Sequence, residues 1–501
     1  MAGSKRHEAR GGCVGGAAYD KIEDLVISPR TDRGYSAVPI REQLWSTVPH
    51  RFYDILDSID VNCAKILEND ETAIRAAENM TYSSLFIKEI ILREEQRCPW
   101  IRNLFGFDCK PTSKAERKFP LAYGLLVYTN AIQVLFMLSA FYRLQNEYCI
   151  AVSGSASKDF KFLMKVVDEC FDNVYVMERP PVKWGSFEIL NSTFACLEVL
   201  SHSDRPWRYY QYLSGFDVPL KTNREMIEIF KMWNNTVNAR YMRYEKHRLN
   251  QKREEDSPLP IIKASVSAAL PRSAVDKIVK SKETRKLLKF LQGTTIPDES
   301  FWGTLTGNTD KFPMPGGINA EKLLEYQEEH NRTRQHMVKK FMKISPRMSN
   351  YLSRYQLWRR RNDTCRGKYV HGSCVYGLKD LADLMKQPHL VAHKMYIDFQ
   401  PAALFCALKT IRIRERDRFT LNVKPYSEIP HVQLSAGLEY PREMRNQSMI
   451  PVDLGGRYQN CCETQNSQSR EMIPPVQHWF IIGGINLSSI VAPGLRIAKK
   501  C

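Results

Sequence analysis

The chain has 501 residues, 43% of them hydrophobic, and a formal net charge of +18. That length and apolar content support a large core and argue against a disordered chain. The excess of Lys and Arg favours an anionic partner, but the basic residues are dispersed and their densest run, Arg359-Arg360-Arg361, is too short for a nucleic-acid tract. Thirteen cysteines, none at Cys-x-x-Cys spacing, point to disulfides rather than a zinc or redox motif. Asn-x-Ser/Thr tripeptides at Asn79, Asn191, Asn234, Asn331, Asn362, Asn446 and Asn486 fit an oxidising, secretory compartment.

In chain order, residues 1–45 read as a basic, Gly-rich tail with no apolar run of the kind an anchor or signal peptide needs. Residues 46–118 have helical apolar spacing, around Ile66-Leu67 and Leu85 to Leu92, and read as a stem packed on the main domain. The segment Phe119 to Tyr142 is uncharged and long enough to cross a bilayer. Its Pro120, Gly124, Asn130 and Gln133 favour a buried strand, Leu121 to Tyr128, feeding a helix from Ala131.

Strand and helix then alternate: strand Tyr148 to Val152, helix Lys158 to Phe171, strand Asn173 to Met177, helix Ser186 to Ser201 and strand Trp207 to Leu213. This is the pattern of an α/β fold with a mainly parallel sheet flanked by helices. The loop Ser214 to Asn223 lies beyond a strand's carboxyl end, where such folds bind ligands, and an Asn cap for the helix Arg224 to Trp233 is its plainer reading. Residues 235–258 are charged and read as an exposed loop, followed by a strand Ile261 to Leu270 and two helical stretches ending near Gln292.

Ile296 to Leu305 places Pro297, Asp298 and Glu299 at a helix start, ahead of an apolar face made by Phe301, Trp302 and Leu305. The carboxylate there reads either as a helix cap or as a catalytic acid or base. Glu321 to Trp358 is polar and helical in pattern, and Cys365 to Tyr376 reads as one strand holding two cysteines. Asp380 to Ile411 returns to helices, and 412–501 shifts to loop composition.

Laid out in order, several of these pieces carry a resemblance. They are Phe119-Pro120-Leu121-Ala122-Tyr123; Tyr148-Cys149-Ile150; Trp207-Arg208-Tyr209-Tyr210 with Gly215-x-Asp217-x-Pro219-Leu220-Lys221-Thr222-Asn223; Pro297-Asp298-Glu299-x-x-Trp302-x-Thr304-Leu305; Cys365 with Val370 to Gly377; and Pro388 to Lys394. With these motifs the chain resembles the core-2/I-branching β-1,6-N-acetylglucosaminyltransferase family, in its nematode-type form.

The resemblance implies a variant GT-A nucleotide-sugar fold with 119–411 as the catalytic domain and 412–501 as an extension. It implies a type II Golgi membrane protein with a lumenal catalytic domain, transferring N-acetylglucosamine from UDP-GlcNAc to a sugar 6-hydroxyl on O-glycans. Glu299 matches the family's general base, which would take the hydroxyl proton as the oxygen attacks opposite UDP and inverts the anomeric centre. Many transferases neutralise UDP with a metal on Asp-x-Asp, which this chain lacks. Lys394 and His371 fall on the family's phosphate-binding cations, with Asp217 and Lys221 on the loop near donor and acceptor, and no metal or other cofactor is implied. His389 and His393 have i, i+4 spacing that suits zinc, without a nearby acidic third ligand.

The resemblance also implies the disulfides Cys63–Cys406, Cys98–Cys170, Cys149–Cys196 and Cys365–Cys374. Two departures stand out. Ser153 occupies the place of a family Asp near the uridine, and His371 occupies the place of an Arg, exchanging a permanent charge for one carried only on the acidic side. Xylosyl transfer to a protein serine and a weakened sugar-binding paralogue are the alternative readings.

Overall fold

The run Leu121-Ala-Tyr-Gly-Leu-Leu-Val is apolar on both faces, as a strand covered by helices from either side must be. It becomes the central strand β1 (Leu121–Val127) of a computed structural model that describes residues 61–93, 95–107, 113–339, 351–359 and 364–438. Asn130, in the left-handed region, accepts a hydrogen bond from the Gln133 amide and starts α1 (Ala131–Phe141), every residue of which is buried. The uncharged segment is thus a strand and its covering helix. Among the described residues no helix is long and apolar enough to cross a membrane.

The alternation continues through β2 (Glu147–Ser153), α2 (Lys158–Cys170), β3 (Val174–Arg179), α3 (Phe187–Ser201) and β4 (Tyr209–Ser214). The order across the sheet is β3-β2-β1-β4-β6, with β1 to β4 parallel and β6 (Ala269–Pro271) antiparallel at the β4 edge. Side chains alternate between two cores. Leu121, Tyr123, Leu125 and Val127 join Phe160 and Leu163 of α2 on one side, and Ala122 and Tyr210 join Leu190 and Phe194 of α3 on the other. At Gly124 a Cβ would lie 2.5 Å from the buried Tyr210 hydroxyl, so only glycine fits there.

A smaller sheet completes the fold. β5 (Asp217–Pro219) and β7 (Arg354–Tyr355) flank β10 (Val391–His393), antiparallel and parallel to it respectively, and β8 (Lys368–Val370) and β9 (Ser373–Val375) form a hairpin nearby. Between β5 and the rest, Thr222 and Glu225 make a capping box for α4 (Asn223–Trp233), so Thr222 and not Asn223 is the cap.

Several expectations are corrected. The strand Ile261 to Leu270 shrinks to β6, because Lys263 pairs with Met242 in an isolated bridge and Ser267 turns its hydroxyl to Ser353. Residues 235–258 are no exposed loop: Val237, Ala239 and Tyr241 are buried in the second core. Among the described residues of 321–358, helix covers those within Ala320–Lys339, and Arg354–Tyr355 forms β7 rather than helix. Cys365 to Tyr376 is a hairpin, since His371 and Gly372 both take positive φ, as a two-residue turn requires. The helix Pro401–Arg416 runs past residue 411, and Tyr426 and His431 beyond it are buried.

All four cysteine pairs are joined, Cys63–Cys406, Cys98–Cys170, Cys149–Cys196 and Cys365–Cys374, with Cα atoms 5.2 to 5.9 Å apart. Cys63–Cys406 fastens the helix Cys63–Leu67 of the stem to the helix Pro401–Arg416. Of the glycosylation candidates, Asn79 and Asn234 are exposed at helix ends. Asn191 lies within α3 with its amide donating to Glu188, and Thr193 of the same tripeptide is buried, so this tripeptide is not presented as a loop acceptor. Asn362, Cys109, the tail and the region from 439 onward lie outside the described residues, and nothing is described of the Asn331 side chain.

Replacing Cys63 and Cys406 together by Ser removes a crosslink between residues 343 apart in sequence. The expected loss is roughly 2–4 kcal/mol, read as a lower urea midpoint.

Candidate active site

The site is assembled at the carboxyl ends of the parallel strands. Pro297–Glu299 forms a single 3-10 turn entered through Ile296 at φ 53°, and the helix proper, α5 (Phe301–Gly307), begins only after Ser300. Phe301, Trp302 and Leu305 are buried, with the Trp302 indole donating to the Val266 carbonyl at 2.8 Å. The N-cap of α5 is Ser300, whose side chain makes no cap hydrogen bond. Glu299 stands at the corner before it, 24% exposed, and accepts a 2.8 Å bond from Arg248 Nη1.

Arg248, in the short turn Lys246–Leu249, also lies 2.6 Å from Glu245, which in turn takes the Lys263 ammonium at 2.5 Å. Burial works against the Arg248 charge, but the Glu299 and Glu245 carboxylates outweigh it and hold the guanidinium pKa up. The result is a carboxylate partly open to solvent, fixed from behind by a chain of alternating charge. That arrangement suits a general base. The helix-cap alternative loses its main support.

The second half of the site is built around Asp217. Its side chain is fully enclosed: Oδ2 accepts from the Ser214 amide at 2.6 Å, Oδ1 lies 2.7 Å from His393 Nδ1, and Arg354 Nε is 3.5 Å away. Burial raises the carboxyl's pKa, but Arg354, His393 and the Ser214 amide together bring it below the ordinary carboxylate value. For His393 burial dominates and lowers the pKa to about 4, so the imidazole is neutral at physiological pH. Ser214 Oγ reaches the same Nδ1 at 3.3 Å, so Ser214, His393 and Asp217 do not form a nucleophilic triad, which needs opposite ring nitrogens.

The register of β5 against β10 sets His393 opposite Asp217 and so places Lys394 beside this cluster. Lys394 Nζ donates to the Val370 carbonyl at 3.3 Å, next to the exposed His371 at the hairpin tip. Burial first, then Arg354, lowers the Lys394 pKa. Lys394 thus lies between the Asp217 cluster and the hairpin that carries His371, and Asp217 itself meets protein groups with both oxygens.

Lys221 is not brought to this cluster. It is buried, its ammonium donating to the Gln387 carbonyl at 2.6 Å, and burial lowers its pKa to about 7, with Arg414 adding to the shift. This lysine holds the chain after β5 and has no solvent-facing charge to offer a donor. His389 and His393 lie at and before a strand, so their spacing does not put them on one helix face. Burial takes the His389 pKa down to about 3, and its ring packs on Tyr355. Among the described residues the one group at metal-ligand distance is Cys365, Cys374 and Asp380, in which the two sulfurs are already joined.

At the end of β2, Ser153 Oγ accepts from the Val182 and Ser155 amides at 2.9 and 3.3 Å. The short hydroxyl closes the adjoining loops where the resemblance leads one to expect a carboxylate.

Sequence reasoning missed Arg248, hidden in a supposed loop, and Arg354, hidden in a supposed helix. Asp298 reads from the sequence as an acid at a helix start, with no signal that it is enclosed. Glu245 to Lys263 spacing carries no local signal for the charge chain. The two halves of the site meet electrostatically through Arg354, whose field reaches Asp217, His393, Lys394 and Asp298.

A nucleotide-sugar transferase is the class that a parallel α/β sheet with an oriented carboxylate and a separate cation cluster at its carboxyl edge suggests. The family model described as Core-2/I-Branching enzyme matches residues 121–380, and the chain belongs to that family. It is a glycosyltransferase. A sheep protein, "Beta-1,3-galactosyl-O-glycosyl-glycoprotein beta-1,6-N-acetylglucosaminyltransferase 3", is 25% identical over 358 residues, 67% of this chain and 78% of the relative. The human protein of that name is 23% identical over 407 residues, 75% of this chain and 88% of the relative. A mouse "N-acetyllactosaminide beta-1,6-N-acetylglucosaminyl-transferase" is 26% identical over 372 residues, 68% of this chain and 82% of the relative. A solved structure, S. aureus TarS 1-349, aligns with 35% of this chain and 56% of its own at 8% identity and a TM-score of 0.21, too partial to bear on the fold.

Asp217→Asn should leave the buried Arg354 charge without its counter-ion and cost about 3–5 kcal/mol of stability in urea unfolding. Because the folded pKa of Asp217 is lowered, its contribution is full above the unfolded carboxylate value and is lost as pH falls through the lowered one. The acid side of the stability profile should flatten in the variant.

Proposed function

We propose that the protein is an inverting β-1,6-N-acetylglucosaminyltransferase that moves GlcNAc from UDP-GlcNAc to a sugar 6-hydroxyl and so branches O-glycans. The observation that carries this reading is the Glu299 carboxylate, partly exposed, set one residue before the helix N-cap Ser300 and held at 2.8 Å by Arg248. The activities named for the relatives support the choice of sugar and linkage.

A sugar hydroxyl is a weak nucleophile until its proton is removed. Glu299 takes that proton as the oxygen attacks the anomeric carbon from the side opposite UDP, which inverts the centre. The departing diphosphate gathers negative charge, and a cation about 4 Å away offsets it by roughly 4 kcal/mol at an effective dielectric of 20. Lys394 supplies that cation, with His371 at the hairpin tip beside it, in place of a metal held by paired carboxylates. The disulfides and the exposed Asn79 and Asn234 support a lumenal, secretory-pathway setting for this reaction, with the Golgi membrane as its place.

Ser153, tied into the loops, supports a second reading, a sugar-binding paralogue with weakened transfer. Incubation with several UDP-sugars and a panel of acceptor glycans separates the two. Transfer from UDP-GlcNAc with formation of a β-1,6 linkage supports the first reading, transfer of xylose to a serine peptide redirects it, and glycan binding without turnover supports the paralogue.

Glu299→Gln keeps the size of the side chain and should lower transfer by roughly 10²- to 10⁴-fold while leaving UDP affinity and melting temperature nearly unchanged. Retained turnover would remove Glu299 from the mechanism. Transfer should also persist in excess EDTA; activity that vanishes and returns with manganese would contradict the metal-free reading.

A further inference from the structure

Asp298 precedes Glu299 on the same one-turn helix and has no part in the mechanism above. It is 6% exposed, and its Oδ1 is enclosed with no hydrogen-bond partner. An enclosed carboxylate with one oxygen left unpaired is costly to ionise, and a neighbouring carboxylate adds to the cost.

The charged groups around it come from four elements. Glu299 lies on its own turn, Arg248 on the turn Lys246–Leu249, Arg354 on β7 and the Tyr212 phenol on β4. Of the two helices packed on the turn, α5 has no titratable side chain. On α3, Glu188 is engaged by Asn191 and Glu198 by Arg285. Arg248 is thus shared: it bonds Glu299 directly and lies within electrostatic range of Asp298.

We propose that Asp298 is a positioning residue acting through its proton. In the neutral form it leaves Arg248 to Glu299, and on ionising it competes for Arg248, releases the base and halts transfer on the alkaline side. The inference rests on the transferase reading and deepens it. Burial, followed by the Glu299 charge, pushes the Asp298 pKa up to about 7, against the smaller pull of its own backbone amide, Arg248 and Arg354, which puts the change in a physiological range. Ionisation would also add a negative charge to a site that has to hold a diphosphate.

The test compares the full chain with Asp298→Asn, which keeps the shape and removes the titration. At saturating UDP-GlcNAc, where any effect of His371 on donor affinity drops out, kcat of the wild type should be level on the acid side and fall about tenfold per pH unit above about 7, while the variant shows no such fall. The same decline in both proteins, or none in the wild type, overturns the proposal.

Melting temperature without substrate is the second measurement. A folded-state pKa raised above the unfolded value means the folded protein binds more protons between about pH 4 and 7. Wild type should therefore lose stability relative to Asp298→Asn across that window and hold a constant difference above it. A pH-independent difference overturns the proposal whatever the activity. A wild type inactive with every UDP-sugar, with the melting window present, instead overturns the transferase reading while the enclosed acid stands.

Discussion

The buried charge cluster of Asp217, Arg354 and His393 is the constraint on which the rest of the site depends. A carboxylate with no exposed surface persists only if donors and cations surround it, and here they come from three separate strands, Ser214 on β4, Arg354 on β7 and His393 on β10. Satisfying Asp217 therefore forces β5, β7 and β10 into one small sheet against the carboxyl edge of the large one. Residues more than a hundred positions apart in sequence are brought into contact by one electrostatic requirement. Lys394 takes its place beside the cluster as a consequence of that register, and the carbonyl of Val370 ties the His371 hairpin to it.

The other half of the site follows a different logic. Glu299 is placed by apolar packing, since Phe301, Trp302 and Leu305 anchor α5 in the second core and the preceding turn buries Pro297 and Asp298 while leaving Glu299 partly exposed. Its direction is then set by Arg248 and the chain of charges behind it. Packing decides where the carboxylate is, and ion pairing decides where it points. Under the proposed reaction, Ser153 and His371 stand where the resemblance leads one to expect a carboxylate and an arginine, and Lys394, tied to the Val370 carbonyl beside the hairpin tip, is the cation proposed to face the diphosphate.

Much of this was legible in the residues because it depended on local pattern. The alternation of apolar strand and helix from Leu121 to Ser214 survives intact in the structure, since β1, β2 and β4 are covered on both faces and the helices between the strands bury their apolar residues against them. The four disulfides came through the resemblance, and each pair stands at bonding distance. The elements that were misread are those whose burial is decided by partners far away. Residues 237–241 look like loop in composition, yet they are buried in the second core, where Tyr241 bonds Thr306 and the Asn238 backbone bridges Ala269. The supposed helix around Arg354 became a strand because β10 offered it an edge.

The sequence by itself determined the fold class, the helix and strand content of the main sheet, and the identity of Glu299 as the acid at a turn, because these rest on periodicity and on short motifs. Only the tertiary structure decided which basic residues serve the site. Lys221 and Lys394 are alike as letters, and both are buried with the ammonium on a carbonyl, but the first is held on Gln387 and the second on Val370 beside the turn of the His371 hairpin. The chain in between determines neither outcome, since charge acts through space. Arg248 and Arg354 became functional neighbours of Glu299 and Asp298 only when folding removed the water that would have screened them.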